Sequence, residues 1–234
     1  MTNDLSKFEK IAGLSFKNKN LLKQAFIHRS YLNEHKGATL DHNERLEFLG
    51  DAVLELVTTD FLYKNYPTKP EGELTSYRAA LVNANTCSVQ ALELGVNELL
   101  FLSRGEAKDT GRARQIILAN AFEAIIGAIY LDLGYSAARD FIQKHLLSNA
   151  EEIIKKSIGE DYKSSFQKKA QEVYSLTPTY QLIKEVGPDH NKIFTIALYI
   201  GEEQIAIGEG RSKQEAEQEA ARLGLVEKDW NGAV

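Results

Sequence analysis

Residues 42–57 read HNERLEFLGDAVLELV, and this stretch predicts a long helix with two unlike faces. Because a helix turns about 100° per residue, Glu44, Glu47, Asp51 and Glu55 fall within about 80° of one another. The opposite side carries the apolar residues Leu46, Leu49, Val53, Leu56 and Val57. The ordinary interpretation is the solvated acidic face of a surface helix. However, like charges at this spacing repel, and no Lys or Arg lies on the row, so the row favours a site for a hard divalent cation.

A second helix, ILANAFEAIIGAIYLD at residues 117–132, carries a related pattern. Asn120 and Glu123 are three residues apart and share a face with Ala124 and Gly127, whose small side chains would let another helix approach closely. An isolated Asn and Glu on a helix are more often a polar surface patch. Placed opposite the row at 44–51, they would complete an oxygen-rich cage of the kind that Mg²⁺ favours.

The composition is that of a soluble globular chain, with 43% hydrophobic and 26% charged residues among 234. The single cysteine, Cys87, excludes an internal disulfide framework and is predicted to be a buried thiol. No apolar run is expected to span a membrane, and the first residues, MTNDLSKFEK, lack the apolar core of a signal peptide. These features predict a cytoplasmic protein. Because the net charge is −5, nucleic-acid binding has to rest on local clusters of charge.

The pattern of the chain changes after Gly159. Residues 1 to about 150 show helical periodicity throughout, with candidate helices that include 42–66, 72–95 and 115–131. The remaining residues alternate as strands between two helices, in the order α-β-β-β-α. Ser212 and Glu215 predict a capping box at the start of the last helix. The predicted fold class is therefore an all-α domain, 1–152, a linker, 153–160, and a small α+β domain, 161–231.

Five blocks of sequence resemble bacterial ribonuclease III, in the same order along almost the whole chain. They are HRSY at 28–31, NERLEFLGDAVL at 43–54, EGELTSYRAALV at 71–82, FEAIIGAIYLD at 122–132, and GEGRSKQEAEQEAA at 208–221. The last block lies in the α-β-β-β-α tail, which resembles a double-stranded-RNA-binding domain. The resemblance implies an all-helical homodimeric catalytic domain that cuts double-stranded RNA with Mg²⁺, for which Mn²⁺ can substitute. It also implies processing of ribosomal RNA precursors and structured messages, with 5′-phosphate products and short 3′ overhangs.

The resemblance assigns roles to particular acidic positions. The metal-binding set is Glu47, Asp51, Asn120 and Glu123, of which Asp51 and Glu123 correspond to residues usually designated catalytic. Glu44 and Glu71 match two further acidic positions of the cutting centre. Phosphodiester hydrolysis needs an activated water and neutralised phosphoryl oxygens, which one or two Mg²⁺ ions can supply, so hard oxygen ligands suit the reaction.

Two positions carry open alternatives. Asn120 stands where the family usually has Asp; its carbonyl can coordinate a metal or orient a water that does, and the lost charge predicts weaker Mg²⁺ affinity. Phe48 matches an aromatic residue that inserts into a socket on the partner subunit, and ordinary core packing is an equal alternative.

The tail is itself acidic, so its overall charge does not favour RNA. The resemblance implies instead an interface that recognises the shape and the 2′-hydroxyls of an RNA duplex. The implied RNA-binding residues are Ser164, Gln167, Lys168 and Gln171 on the first helix, Pro188 and His190 in the first inter-strand loop, and Arg211 and Lys213 at the last helix. The sequence departs from the family at Gln214, often Lys, and at Lys168, often Glu.

Two other functions remain to be weighed against a nuclease. A protein that grips RNA duplexes without cutting is favoured only by Asn120, and the otherwise complete set of acids argues against it. A metal-dependent phosphohydrolase acting on small molecules would leave the RNA-binding tail without a purpose.

Overall fold

The computed structural model describes residues 4–160, 162–188 and 192–230. It divides the chain into two compact units, Met1–Ile154 and Lys155–Val234. The segment predicted as a linker is helical, because the helix Ala150–Glu160 runs through it. The domain boundaries drawn from the sequence remain a prediction.

The first unit is all-α, as predicted. Its helices are α1 Ser6–Ala12, α2 Lys19–Ala25, α3 Arg29–Glu34, α4 Glu44–Asn65, α5 Glu71–Leu81, α6 Ala84–Glu93, α7 Arg112–Leu133 and α8 Tyr135–His145. Helix α9, Ala150–Glu160, begins in the first unit and ends in the second. The periodic stretch 72–95 predicts one helix, but the structure has two. The break falls at Val82 and Asn83, where the Asn83 side-chain oxygen accepts a hydrogen bond from the Thr86 N–H at 2.9 Å and caps α6.

The core of the first unit surrounds α7. Phe122, Ile125, Ile126 and Ile129 are fully buried there, and Cys87 of α6 is buried as predicted. Contrary to the expectation from sequence, α7 is long and apolar enough to cross a membrane by length and composition, with a mean hydropathy of 1.8. Because 61% of that apolar window is buried inside the unit, α7 has the features of a core helix.

The second unit has the predicted order of elements, namely α10 Tyr162–Tyr174, β1 Thr179–Val186, β2 Ile193–Ile200, β3 Glu203–Gly210 and α11 Lys213–Glu227. The strands form an antiparallel sheet in the order β1-β2-β3, and Phe166, Leu198 and Leu225 belong to its core. The predicted cap by Ser212 is confirmed, but the return bond of Glu215 reaches the N–H of Arg211 and not that of Ser212, as a capping box would require. Ser212 accepts from the Glu215 N–H at 3.1 Å, and the Glu215 carboxylate accepts from the Arg211 N–H at 2.9 Å.

Candidate active site

Helices α4 and α7 cross with their backbones in direct contact. A Cβ added to Gly50 would overlap the carbonyl of Glu123 and lie 2.9 Å from the backbone nitrogen of Gly127. A Cβ added to Gly127 would overlap the carbonyl of Leu46. Only glycine fits at these two positions, so the close approach predicted from the small residues of α7 is confirmed, and Gly50 is its counterpart on α4.

The crossing brings together the four residues of the predicted metal-binding set. Partial burial raises the pKa of the Glu123 carboxyl to about 7, and the nearby Asp51 and Glu47 carboxylates add to this effect. Burial also raises the pKa of Glu47, with contributions from Glu44 and Asp51, while a hydrogen bond with the Asn120 side chain opposes the change. Two helices distant in sequence therefore place three acids and an amide within electrostatic reach of one another.

Both ends of the acidic row have cationic partners. Glu44 lies 3.4 Å from Arg29 of α3, and Glu55 lies 3.9 Å from Arg78 of α5. The interpretation of the whole row as uncompensated is therefore wrong at both ends. In the described part of the chain, Glu47, Asp51 and Glu123 form no ion pair with a basic side chain, so the interpretation holds at the two middle positions of the row, Glu47 and Asp51.

No contact among the described residues places Glu71 at the α4–α7 crossing. It is the first residue of α5, it is exposed, and its carboxylate accepts a hydrogen bond from the Thr75 hydroxyl at 2.9 Å on the same helix. Its assignment to the cutting centre remains a prediction from resemblance.

The donor set at the crossing fits a hard divalent cation, because carboxylate and amide oxygens are the ligands such ions prefer. Within residues 4–160, 162–188 and 192–230, no three His, Cys, Asp or Glu side chains are positioned to hold a metal ion by themselves. Mg²⁺ usually retains several waters and is bound directly by one or two carboxylates.

Cys87 lies beneath the same crossing. Burial raises the pKa of its thiol to about 12, and the Glu123 and Asp51 carboxylates contribute. A thiol this far from ionisation is a poor nucleophile at neutral pH, in agreement with the prediction of a buried thiol.

An apolar strip, formed by Phe48, Leu56 and Tyr63, runs along the outside of α4. These side chains are 82%, 57% and 73% exposed, respectively. The core-packing alternative for Phe48 is therefore wrong, and so is the placement of Leu56 on the buried side. The spacing of 48, 56 and 63 falls on one helical face, and that signal could have predicted the strip.

The four predicted RNA-binding residues of α10 share one exposed face. Ser164, Gln167, Lys168 and Gln171, together with Glu172, line a surface depression, while Phe166 and Ala170 are buried in the core on the other side. Pro188, Arg211 and Lys213 are exposed, the last two at the start of α11. His190 lies outside the described residues.

The all-α unit with its acidic crossing, followed by an α-β-β-β-α unit, defines a class of protein: a nuclease joined to a double-stranded-RNA-binding domain. The family model of the Ribonuclease-III-like domain matches residues 18–150, and that of the double-stranded RNA binding motif matches residues 162–227. The chain belongs to the ribonuclease III family.

Several relatives match over nearly the whole chain. Ribonuclease 3 of Borreliella burgdorferi is 44% identical over 95% of this chain and 91% of its own length. Ribonuclease 3 of Oceanobacillus iheyensis is 45% identical over 95% of this chain and 97% of its own length. A crystal structure of the nuclease domain of ribonuclease III from Campylobacter jejuni aligns with a TM-score of 0.56 and 37% identity, covering 62% of this chain and 95% of that domain.

The chain is thus an endoribonuclease specific for double-stranded RNA, and the nuclease interpretation prevails over the two alternatives weighed from sequence. Nucleases of this family are generally metal-dependent, in agreement with the donor set at the crossing.

Proposed function

We propose that this chain cuts double-stranded RNA at the α4–α7 crossing, with Mg²⁺ as its metal ion and Mn²⁺ as a substitute. Glu47, Asp51, Asn120 and Glu123 would hold the ion, and Asp51 and Glu123 would be the catalytic residues. The observation that supports this assignment most strongly is the set of three carboxylates, without an ion pair among the described residues, gathered where two helices touch. Glu44 and Glu71 are assigned to the centre by resemblance, and Glu44 also by its electrostatic effect on Glu47.

When bound, the ion supplies an activated water and neutralises charge on the phosphoryl oxygens. The task of the protein is to hold the ligands rigidly, and helix faces whose backbones touch at Gly50 and Gly127 do this better than loops. Because the pKa of Glu123 lies at about 7, this carboxyl holds a proton in part of the metal-free molecules near neutral pH. Loss of that proton accompanies cation binding, which makes metal affinity rise with pH.

The biological reaction would be the processing of ribosomal RNA precursors and structured messages in the cytoplasm, leaving 5′-phosphates and short 3′ overhangs. Membership of the family supports this proposal.

The protein would act as a homodimer through its first unit. The exposed strip of Phe48, Leu56 and Tyr63 supports this proposal, because large apolar side chains aligned on one helix usually meet a partner surface. A related nuclease domain, from ribonuclease III of Campylobacter jejuni, has been described with structural flexibility in a region involved in dimer formation. Phe48, the most exposed of the three, would be the central contact.

The second unit would bind the duplex by its shape. The exposed face of α10, with Ser164, Gln167, Lys168 and Gln171, would face one minor groove, and the loop of Pro188 and His190 would face the next. Arg211 and Lys213 would contact the phosphates between them, at the positive end of the α11 dipole.

The test is the incubation of a long RNA duplex with the wild-type chain and with Glu123→Ala, with and without Mg²⁺. Glu123→Ala should abolish cutting and leave RNA binding nearly intact, because the carboxylate serves the ion and not the duplex. Glu55→Ala is the matched control, because Glu55 lies on the acidic row of α4 but is already paired with Arg78. This variant should cut RNA at the wild-type rate. Cutting that survives Glu123→Ala would show that the active site lies elsewhere.

A further inference from the structure

Arg29 stands at the edge of the acidic row and is only loosely held there. Its Nη1 lies 3.4 Å from Glu44 Oε1, and the two side chains are 70% and 46% exposed. An exposed ion pair of this kind contributes about 0–1 kcal/mol, because water screens the charges and the long side chain loses freedom. The Arg29 guanidinium can therefore exchange its partner at little cost.

His42 also lies beside Glu44. Its Nδ1 accepts a hydrogen bond from the Glu44 N–H at 3.4 Å. The arginine at the other end of the row is more firmly placed. Arg78 is 35% exposed, and it donates a hydrogen bond to Thr59 at 3.2 Å in addition to its pairing with Glu55. Of the two, Arg29 is the more available cation.

An RNA phosphate that approaches the α4–α7 crossing meets the carboxylates of Glu47, Asp51 and Glu123, and like charges repel. A mobile cation at the edge of this cluster offsets that repulsion. We propose that Arg29 releases Glu44 when the duplex binds and takes a backbone phosphate instead. A guanidinium suits this exchange, because its planar fork of N–H donors fits phosphate as well as it fits carboxylate. The inference rests on the proposed location of the cutting centre.

The experiment measures duplex binding by the full-length chain over a range of salt concentrations, with divalent ions removed so that the RNA stays intact. Each phosphate contact that Arg29 makes should steepen the salt dependence by about one unit of slope. Between about 50 and 200 mM salt, the wild type should therefore lose about 3.5-fold more affinity than Arg29→Ala for each contact. Arg29→Lys should restore most of the slope, because a lysine can also pair with phosphate.

The matched control is Arg139→Ala, which removes an exposed arginine of α8 whose Nη2 lies 2.7 Å from Asp140. Its salt dependence should equal that of the wild type. A slope for Arg29→Ala identical to that of the wild type overturns the proposal, even if its affinity is lower at every salt concentration. Circular dichroism checks that each variant is folded, and the Arg29→Lys arm decides between a charge effect and a folding defect. If Glu123→Ala still cuts, the proposed active site fails, whereas an unchanged slope beside an inactive Glu123→Ala refutes only the role of Arg29.

Discussion

Gly127→Ala tests whether the contact between α4 and α7 creates the active site. The added Cβ would lie more than 1 Å inside the 3.4 Å at which ordinary contact with the Leu46 carbonyl begins. The obstructing atom is the backbone carbonyl oxygen of Leu46, which cannot rotate away as a side chain could, so the two helices must separate by about 1 Å. Such overpacking costs about 3 kcal/mol at the upper end of the usual range. Alanine recovers about 1 kcal/mol through its better helix propensity, which leaves a net loss of about 2 kcal/mol.

This loss should lower the melting temperature of the first unit by about 4–8 °C, at about 2–4 °C per kcal/mol for a domain of this size. The separation also moves Glu47 and Asp51 away from Glu123. Because a misplacement of about 1 Å can cost about 100-fold in rate, cutting of a long RNA duplex should slow by about that factor. Circular dichroism melting and a gel-based cleavage assay measure the two effects.

Gly72→Ala is the matched control, because it makes the same change in a helix where the new Cβ meets nothing within 4 Å. It should cut at the wild-type rate and be more stable by about 0.4–1 kcal/mol. If Gly127→Ala melts no lower than this control and cuts as fast as the wild type, the close crossing does not position the catalytic acids.

Three further changes test the charges and the exposed strip. Burial and neighbouring acids raise the pKa of Glu123 from 4.5 to about 7, so ionisation destabilises the metal-free fold as pH rises through this interval. Without metal, Glu123→Gln should therefore be more stable than the wild type by about 2 kcal/mol at pH 8, after allowance for partial exposure, and equally stable at pH 4. If the two proteins melt at the same temperature at both pH values, the pKa of Glu123 is not raised. Asn120→Asp should lower the Mg²⁺ concentration for half-maximal cutting by about tenfold, because an added charge about 4 Å from the ion contributes at least about 1 kcal/mol; an unchanged or higher concentration refutes this. Phe48→Ala should weaken self-association by about 2 kcal/mol in sedimentation experiments without lowering the stability of the monomer, and unchanged association argues against the strip as the dimer contact.

The sequence alone determined the order of elements in the second unit, the two long helices of the site and the kind of chemistry, but not the break at residues 82–83. The helical period of residues 42–66 and 115–131, and the alternation after Gly159, depend only on spacing along the chain, and the structure confirms both. Ser212 was correctly predicted as the cap of α11, because N-capping is a local hydrogen-bond pattern. The choice of Asn120 and Glu123 as partners of the row on α4 also came from spacing, aided by the small residues beside them.

The tertiary structure decided which charges remain unpaired and which apolar side chains remain exposed. Arg29 and Arg78 come from other helices to neutralise the ends of the row, and no pattern within residues 42–57 indicates them. Phe48 is exposed although its residue type fits a core. Charge compensation and desolvation depend on neighbours that are remote in sequence, so the pKa of Glu123 is set by the crossing of two helices and not by the local order of residues on either one.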